Sequence, residues 1–361
     1  MSEKKKKGSI WYTITNVNEL DKKEYLELIR RVALFVGLGF VASFIVFFVI
    51  ALLGGIGNVV KTIEDANPLF YSLAFVAVLA GYLLRFLKWL YYTKRLQLKV
   101  PLKKNFIIYM SQYSMNITPG KLGRVLVAYT LSRVTNIKTS NILPIVTIDI
   151  FTDFLGVGIL ALVTAIYFDQ FVIYVLAIDL VLMVPYLFIL NDWFYRIMKR
   201  IFKKRRFIET FTLYGDEYFA SQSTLNTPMT YIVSLAVTIP AAFLNAMALL
   251  FALLSIGIAP HVITSAFVES SSNLFGMITG IPGNIGVTDG SLVALIGTLF
   301  KTSFATSSAI TIMTRFATLW FGVLLGGVTL LYSFRYWTEN KIFKKRGKTA
   351  KHGCTKTRKR T

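Results

Sequence analysis

Six runs of mostly apolar residues, at about 32–53, 69–92, 142–167, 170–190, 230–256 and 304–334, are each near the length that crosses a bilayer, and basic residues gather between and around them. A helix needs about 20 predominantly apolar residues to traverse about 30 Å of hydrocarbon. Six such runs in one chain make lipid the solvent of the fold. Composition agrees: 55% of the 361 residues are hydrophobic and 16% charged, where a soluble chain carries about a quarter charged. Two further apolar regions, 104–133 and 261–300, are cut by Pro119-Gly120 and Pro282-Gly283. The pieces are short for independent crossings and fit re-entrant or broken helices better. The expected architecture is an all-α polytopic membrane protein with about six full spans plus two Pro-Gly-broken, re-entrant helical hairpins.

Charge orients it. The formal net charge is +22, and 31 of the 40 Lys and Arg residues fall in 1–31, 88–104, 191–228 and 341–361. With the N-terminus inside, the outer loops 54–67, 168–170 and 257–260 hold one basic residue, Lys61, and the rich segments all fall inside, as the positive-inside rule asks. Both termini are then cytoplasmic, in a multi-pass protein of the cell membrane. A lysine-rich start with no small-residue cleavage site after the first run reads as a signal anchor that is kept. The chain divides into a basic cytoplasmic N-terminus (1–28), a transmembrane domain (29–337, with halves 29–167 and 170–337 and a basic cytoplasmic loop at 191–228) and a basic cytoplasmic tail (338–361). The stretch 199–206 with Trp193, Phe194, Tyr195 and Phe202 reads as an amphipathic segment on the inner leaflet. Basic charge interleaved with apolar runs points to lipid headgroups as partners rather than nucleic acid, and a homo-oligomer is possible.

Several chemistries are excluded early. The two histidines, His261 and His352, are far apart, and Cys354 is the one cysteine. Neither a His/Cys metal cluster nor a disulfide framework can form from these. No metal or other cofactor is expected. A phosphate-binding Gly-x-x-x-x-Gly-Lys-Ser/Thr loop is absent from the sequence, so uphill transport would need an ion gradient or a partner.

The two broken regions resemble each other. Ile117-Thr118-Pro119-Gly120-Lys121-Leu122-Gly123 matches Gly280-Ile281-Pro282-Gly283-Asn284-Ile285-Gly286 in its Pro-Gly-x-aliphatic-Gly core, at an offset of 163. That offset carries 69–92 onto 232–255 and 142–167 onto 305–330. Each half then reads helix, helix, broken hairpin, helix. An odd number of crossings per half makes this an inverted repeat, a sign of transporters whose substrate site lies where the broken elements meet.

Ionisable residues inside apolar runs are functional candidates, because each costs several kcal/mol unless paired or hydrated. Asp149 and Asp153 lie four apart, on one face of their helix. Arg315 stands in the last run, at a position the offset carries onto residue 152. The expected arrangement is an Asp149/Asp153–Arg315 network that an anionic substrate opens by competing for the guanidinium; the same charges could instead only pin helices together. Lys121 and Arg124 follow the first break, in the first turn of a half-helix that favours anions such as lipid phosphate, or as an interfacial positive-inside pair. Asp289, after the second break, suits a helix cap as well as chemistry. Asp179 and Glu269 are isolated acids that could couple protons. Arg85 and Lys88, near the inner end of the second run, are expected to snorkel.

The order Pro-Gly-x-Leu-Gly, then acid-x-x-x-Asp, then Ile281-Pro282-Gly283-Asn284-Ile285-Gly286-Val287-Thr288-Asp289, then a lone Arg resembles the flippase-like family that includes the membrane part of lysylphosphatidylglycerol synthase, over about residues 25–337. Asn284 and Asp289 stand where that family usually has a glycine and a glutamate, Ile150 where it has an arginine, and Arg124 where it often has an acid. The resemblance implies movement of an anionic, aminoacylated or polyprenyl-linked lipid between leaflets, with Pro119, Gly120, Gly123, Arg124, Asp149, Asp153, Pro282, Gly283, Gly286, Asp289 and Arg315 forming the substrate site. The short tail after the last run leaves no room for the synthase's aminoacyl-transfer domain, so the chain is not expected to be an enzyme and no catalytic residue is assigned. Two alternatives stand beside translocation: an intramembrane enzyme acting on a lipid phosphate through Asp149 and Asp153, and a non-transporting accessory subunit.

Overall fold

The structure, a computed structural model, describes residues 22–118, 123–190 and 217–333. Pro119, Gly120, Lys121, the basic stretch 199–206 and both terminal segments lie outside the described residues. Every regular element described is helical. In chain order these are α1 (Lys22–Gly54), α2 (Ile56–Glu64), α3 (Pro68–Arg95), α4 (Leu102–Ser111), α5 (Val125–Thr135), α6 (Thr139–Ala165), α7 (Asp169–Leu190), α8 (Pro228–Ser255), α9 (Val262–Thr279), α10 (Val287–Leu299) and α11 (Phe304–Ser333). A short helix over 217–225 precedes α8.

Five helices are long and apolar enough to cross a membrane: Val36–Gly54 within α1, and α3, α6, α8 and α11. The run expected at 170–190 forms the 22-residue α7. Local chemistry sets the starts of three of them. Asn67 and Thr227 stand as N-caps before Pro68 and Pro228, and Ser303 caps α11 by accepting from the Thr306 amide at 3.2 Å. These residue types satisfy first-turn amides, and proline at the first helical position loses no hydrogen bond. Pro144 and Pro240 lie inside α6 and α8, a placement membrane helices tolerate.

Burial is inverted relative to a soluble protein. Phe44, Leu53, Leu69, Val76 and Leu331 point outward, while Lys88, Asp289 and Arg315 are buried. An apolar exterior around a polar interior is what hydrocarbon selects.

Between α4 and α5 the first break runs through a 3-10 helix, Gln112–Ile117. Between α9 and α10 the second break passes through the 3-10 turn Pro282–Asn284, where Gly283 and Gly286 have φ of 65° and 87°. Only residues without a Cβ adopt such angles freely. The two breaks touch each other, and Ile117 and Ile285 share an apolar cluster with Leu319, Trp320 and Val323 of α11. Gly326 makes this approach possible, since a Cβ there would lie 2.2 Å from the Ser114 amide nitrogen.

The order long helix, shorter helix, break, shorter helix, long helix occurs twice, over 68–165 and over 228–333. Helices α3 and α8 are both 28 residues long and pack along each other. Contacts between the two series are reciprocal: α9 packs on α6, and α4 packs on α11. Each half-helix after a break lies on its own following long helix, α5 on α6 and α10 on α11.

Candidate functional site

Where the two breaks meet, a cavity of about 120 Å³ opens among α3, α6, α8, α9 and α11. Asn116 and Arg124 line it from the first break, and Gly283 and Asn284 from the second. The long helices add Arg85, Asp153, Asn245 and Arg315, and α9 adds Glu269 and Asn273. Three guanidinium groups and two carboxylates thus share a small space inside an apolar shell, where each charge needs a partner.

One wall is an ion cluster. Lys88, with no exposed surface, places its Nζ 3.1 Å from Asp149 Oδ1 and 2.8 Å from Asp153 Oδ1, and also donates to Thr152 Oγ1 at 3.1 Å. Arg124 stands at the N-cap of α5 and holds Asp149 at 3.2 Å and Asp153 at 3.6 Å, while donating to Asn116 at 3.0 Å. Arg85 Nε lies 3.3 Å from Asp153. The four-residue spacing of the two aspartates does put both on one helix face, so the same two cations reach both.

The opposite wall is a separate clasp. Arg315 Nε donates to Asp289 Oδ1 at 2.7 Å, and its terminal nitrogen donates to the Gly283 carbonyl at 2.7 Å. The second oxygen of Asp289 accepts from the Gly286 amide at 2.7 Å. Asp289 therefore caps α10, as its position in the first turn suggested, and in addition anchors the arginine. Gly123 belongs to the first break, where its amide donates to Thr118 Oγ1 at 2.9 Å. Pro282 and Gly286 frame the second break and do not appear in the cavity lining.

Two expectations are corrected here. The Asp149/Asp153–Arg315 network does not form; Arg315 takes Asp289, and the two aspartates take Lys88, Arg124 and Arg85. The reason is packing: each half-helix lies on the next helix of its own half, so an acid and a base 25 or 26 residues apart meet before any cross-half pair does. Nor do Arg85 and Lys88 snorkel. Both are buried and ion-paired. A signal for this was present, because Trp89-Leu90-Tyr91-Tyr92 follow Lys88 before the exposed basic end of the helix at Lys94 and Arg95. Asn116 and Asn273 were not singled out from sequence, and a lone amide in an apolar run gives little to find it by. Asp179 lies outside the cavity lining, against Gly158 of α6.

A family profile described as the lysylphosphatidylglycerol synthase TM region matches residues 34–326. The chain belongs to this family. The matched stretch runs from α1 into α11 and takes in both breaks, the cavity and every ionised residue around it. The expected departures at Arg124 and Asp289 are thus the two break-side residues that carry the ion pairs. A search of curated proteins found no match.

Proposed function

We propose that this protein moves a phosphate-bearing lipid, whether anionic, aminoacylated or polyprenyl-linked, between the leaflets of the cell membrane, and that it is not an enzyme. The supporting observation is the cavity itself: Arg85, Arg124 and Arg315, from three separate elements, converge on the meeting point of two broken helices inside a membrane domain. Guanidinium groups match phosphate oxygens in charge and geometry. The Nε of Arg124 is buried without a hydrogen-bond acceptor, and that of Arg85 meets Asp153 at 3.3 Å outside hydrogen-bond geometry; an unsatisfied buried donor costs about 1–3 kcal/mol, which a phosphate oxygen can relieve. Membership of a lipid-related membrane family adds to this.

On this reading the two halves form an inverted repeat, with the broken hairpins re-entering the membrane from opposite sides and both termini in the cytoplasm. The equal lengths of α3 and α8 and the reciprocal α9–α6 and α4–α11 contacts support that symmetry. A headgroup held between the breaks would meet either leaflet by a small change at one break or the other.

The test is proteoliposomes with acyl-chain-labelled phosphatidylglycerol or phosphatidylcholine, in which leaflet exchange is followed by quenching from outside. Exchange of phosphatidylglycerol should be accelerated selectively, and Arg85→Gln should slow it by at least about tenfold, the equivalent of one 1.4 kcal/mol interaction. Equal exchange of both lipids, unchanged in Arg85→Gln, would refute headgroup recognition by the cavity.

A further inference from the structure

Glu269 is the acid in the cavity that the ion clusters leave out. It projects from α9, is 5% exposed, and is hydrogen-bonded by Asn273, whose Nδ2 donates to Oε1 at 2.6 Å. Asp149, Asp153 and Asp289 each lie at ion-pair distance from a lysine or arginine. Among the described residues no cation stands that close to Glu269, although Arg315 and Arg85 act on it from across the cavity.

Counting charge around the cavity gives the group a role. Arg85, Lys88, Arg124 and Arg315 are four cations, and Asp149, Asp153, Asp289 and Glu269 are four acids. Among the described residues these eight, all ionised, sum to zero charge. A phosphodiester entering this site would leave it with an uncompensated negative charge in a low-dielectric interior, which is strongly unfavourable. Of the four acids, Glu269 can take a proton without breaking an ion pair. Its protonation would leave the protein site at +1, matching a single phosphodiester charge. Asn273 can donate to the carbonyl oxygen of the protonated acid as it does to the carboxylate.

We infer that Glu269 is a proton-exchange site coupled to cavity occupancy, taking up one proton as an anionic headgroup enters and releasing it as the headgroup leaves. This rests on the anion-binding reading above and adds the coupling ion. Among the described residues the charged groups facing Glu269 are Asp153 on α6, Arg315 with its partner Asp289, and Arg85 and Arg124 across the cavity; Asp179 of α7 packs against Gly158 outside the cavity. Because linkage is reciprocal, the proton must strengthen anion binding by the factor by which the anion strengthens proton binding. Transport then carries headgroup and proton together, so a proton gradient can drive it.

The experiment is calorimetric binding of dihexanoyl-phosphatidylglycerol to the full chain in detergent. It is run between pH 5.5 and 8.5, in paired buffers of low and high ionisation enthalpy, beside Glu269→Gln. In the wild type the buffer-dependent heat should report proton uptake approaching one per ligand at some pH in this range, and affinity should fall, by up to about tenfold per pH unit, across the upper part of it. Glu269→Gln, isosteric and able to keep the Asn273 contact, should bind with no buffer-dependent heat and flat affinity. Binding without proton uptake in the wild type overturns the role of Glu269 and leaves the anion site standing. Proton uptake that persists in Glu269→Gln also overturns it, assigning the proton to another acid. No binding to the wild type at any pH overturns the anion site itself. The wild-type buffer comparison decides without the variant if that protein does not fold.

Discussion

Lys88 separates two physical pictures by an amount large enough to measure. If its ammonium reached the membrane surface, Lys88→Met would remove a solvated charge worth about 0–1 kcal/mol. The structure instead puts Nζ 2.8 and 3.1 Å from two buried carboxylates, with no exposed surface. At those distances each Coulomb contact is worth about 5–6 kcal/mol with an effective dielectric of about 20. Several kcal/mol of ammonium desolvation oppose the pair of contacts. Removing the cation alone leaves Asp149 and Asp153 sharing Arg124 and Arg85 at 3.2–3.6 Å, and breaking a buried cluster in this way costs about 3–5 kcal/mol. That corresponds to a shift of roughly 10²–10³·⁵ in the folding constant. Unfolding in mixed dodecyl maltoside and dodecyl sulfate micelles, followed by tryptophan fluorescence, reads such a shift. A Lys88→Met protein within about 1 kcal/mol of the wild type would refute the buried cluster.

Two further outcomes follow from the geometry. Gly326→Val puts a Cβ 2.2 Å from the backbone nitrogen of Ser114, a clash that no side-chain rotation relieves, so the same micelle titration should show a loss of about 1–3 kcal/mol; Gly327→Val next to it, where a Cβ meets open space, should be near neutral. Outside the spans, Lys138 and Ser140 hydrogen-bond the Glu217 carboxylate and hold it below its ordinary 4.5. A depressed carboxylate stabilises the fold fully above its unfolded value and loses that contribution as pH falls through the folded one. Lys138 is largely exposed, so the effect is under about 0.5 kcal/mol, and Glu217→Gln should flatten stability between pH 5 and 3 by that amount.

Much of this was legible in the sequence for one reason: hydrocarbon allows few structures. Apolar runs at 69–92, 142–167, 230–256 and 304–334 had to become helices, and they became α3, α6, α8 and α11. The Pro-Gly elements at 119 and 282 marked the breaks, and isolated charges at Asp149, Asp153 and Arg315 marked the polar interior. Pairing was not legible, because it depends on which helices touch, and spacing along the chain does not encode that. A charge near the end of a run looks alike whether it snorkels or turns inward, which hid Lys88. Glu269 showed in the sequence as an acid without a neighbour, and only the packing of α9 onto α6 gives it a cavity to face.

The two walls of the cavity repeat one design with the charges exchanged. In the first half the break-side residue is the base Arg124 and the long helix brings the acid Asp149, 25 positions on; in the second half the break-side residue is the acid Asp289 and the long helix brings the base Arg315, 26 positions on. The exchange has a consequence for a ligand. Arg315 spends its Nε on Asp289 and a terminal nitrogen on the Gly283 carbonyl, so its charge is tied to holding the second break in shape. Arg124 keeps a buried Nε without an acceptor, Arg85 Nε meets Asp153 only at 3.3 Å outside hydrogen-bond geometry, and their carboxylate partners are also served by Lys88. On the proposed reading a phosphate oxygen would draw on the first-half guanidiniums while Lys88 holds the aspartates, whereas drawing on Arg315 would loosen its hold on Asp289 and the Gly283 carbonyl. The exchanged charges thus tie Arg315 to the shape of the second break while Arg124, at the first, keeps a donor in reserve.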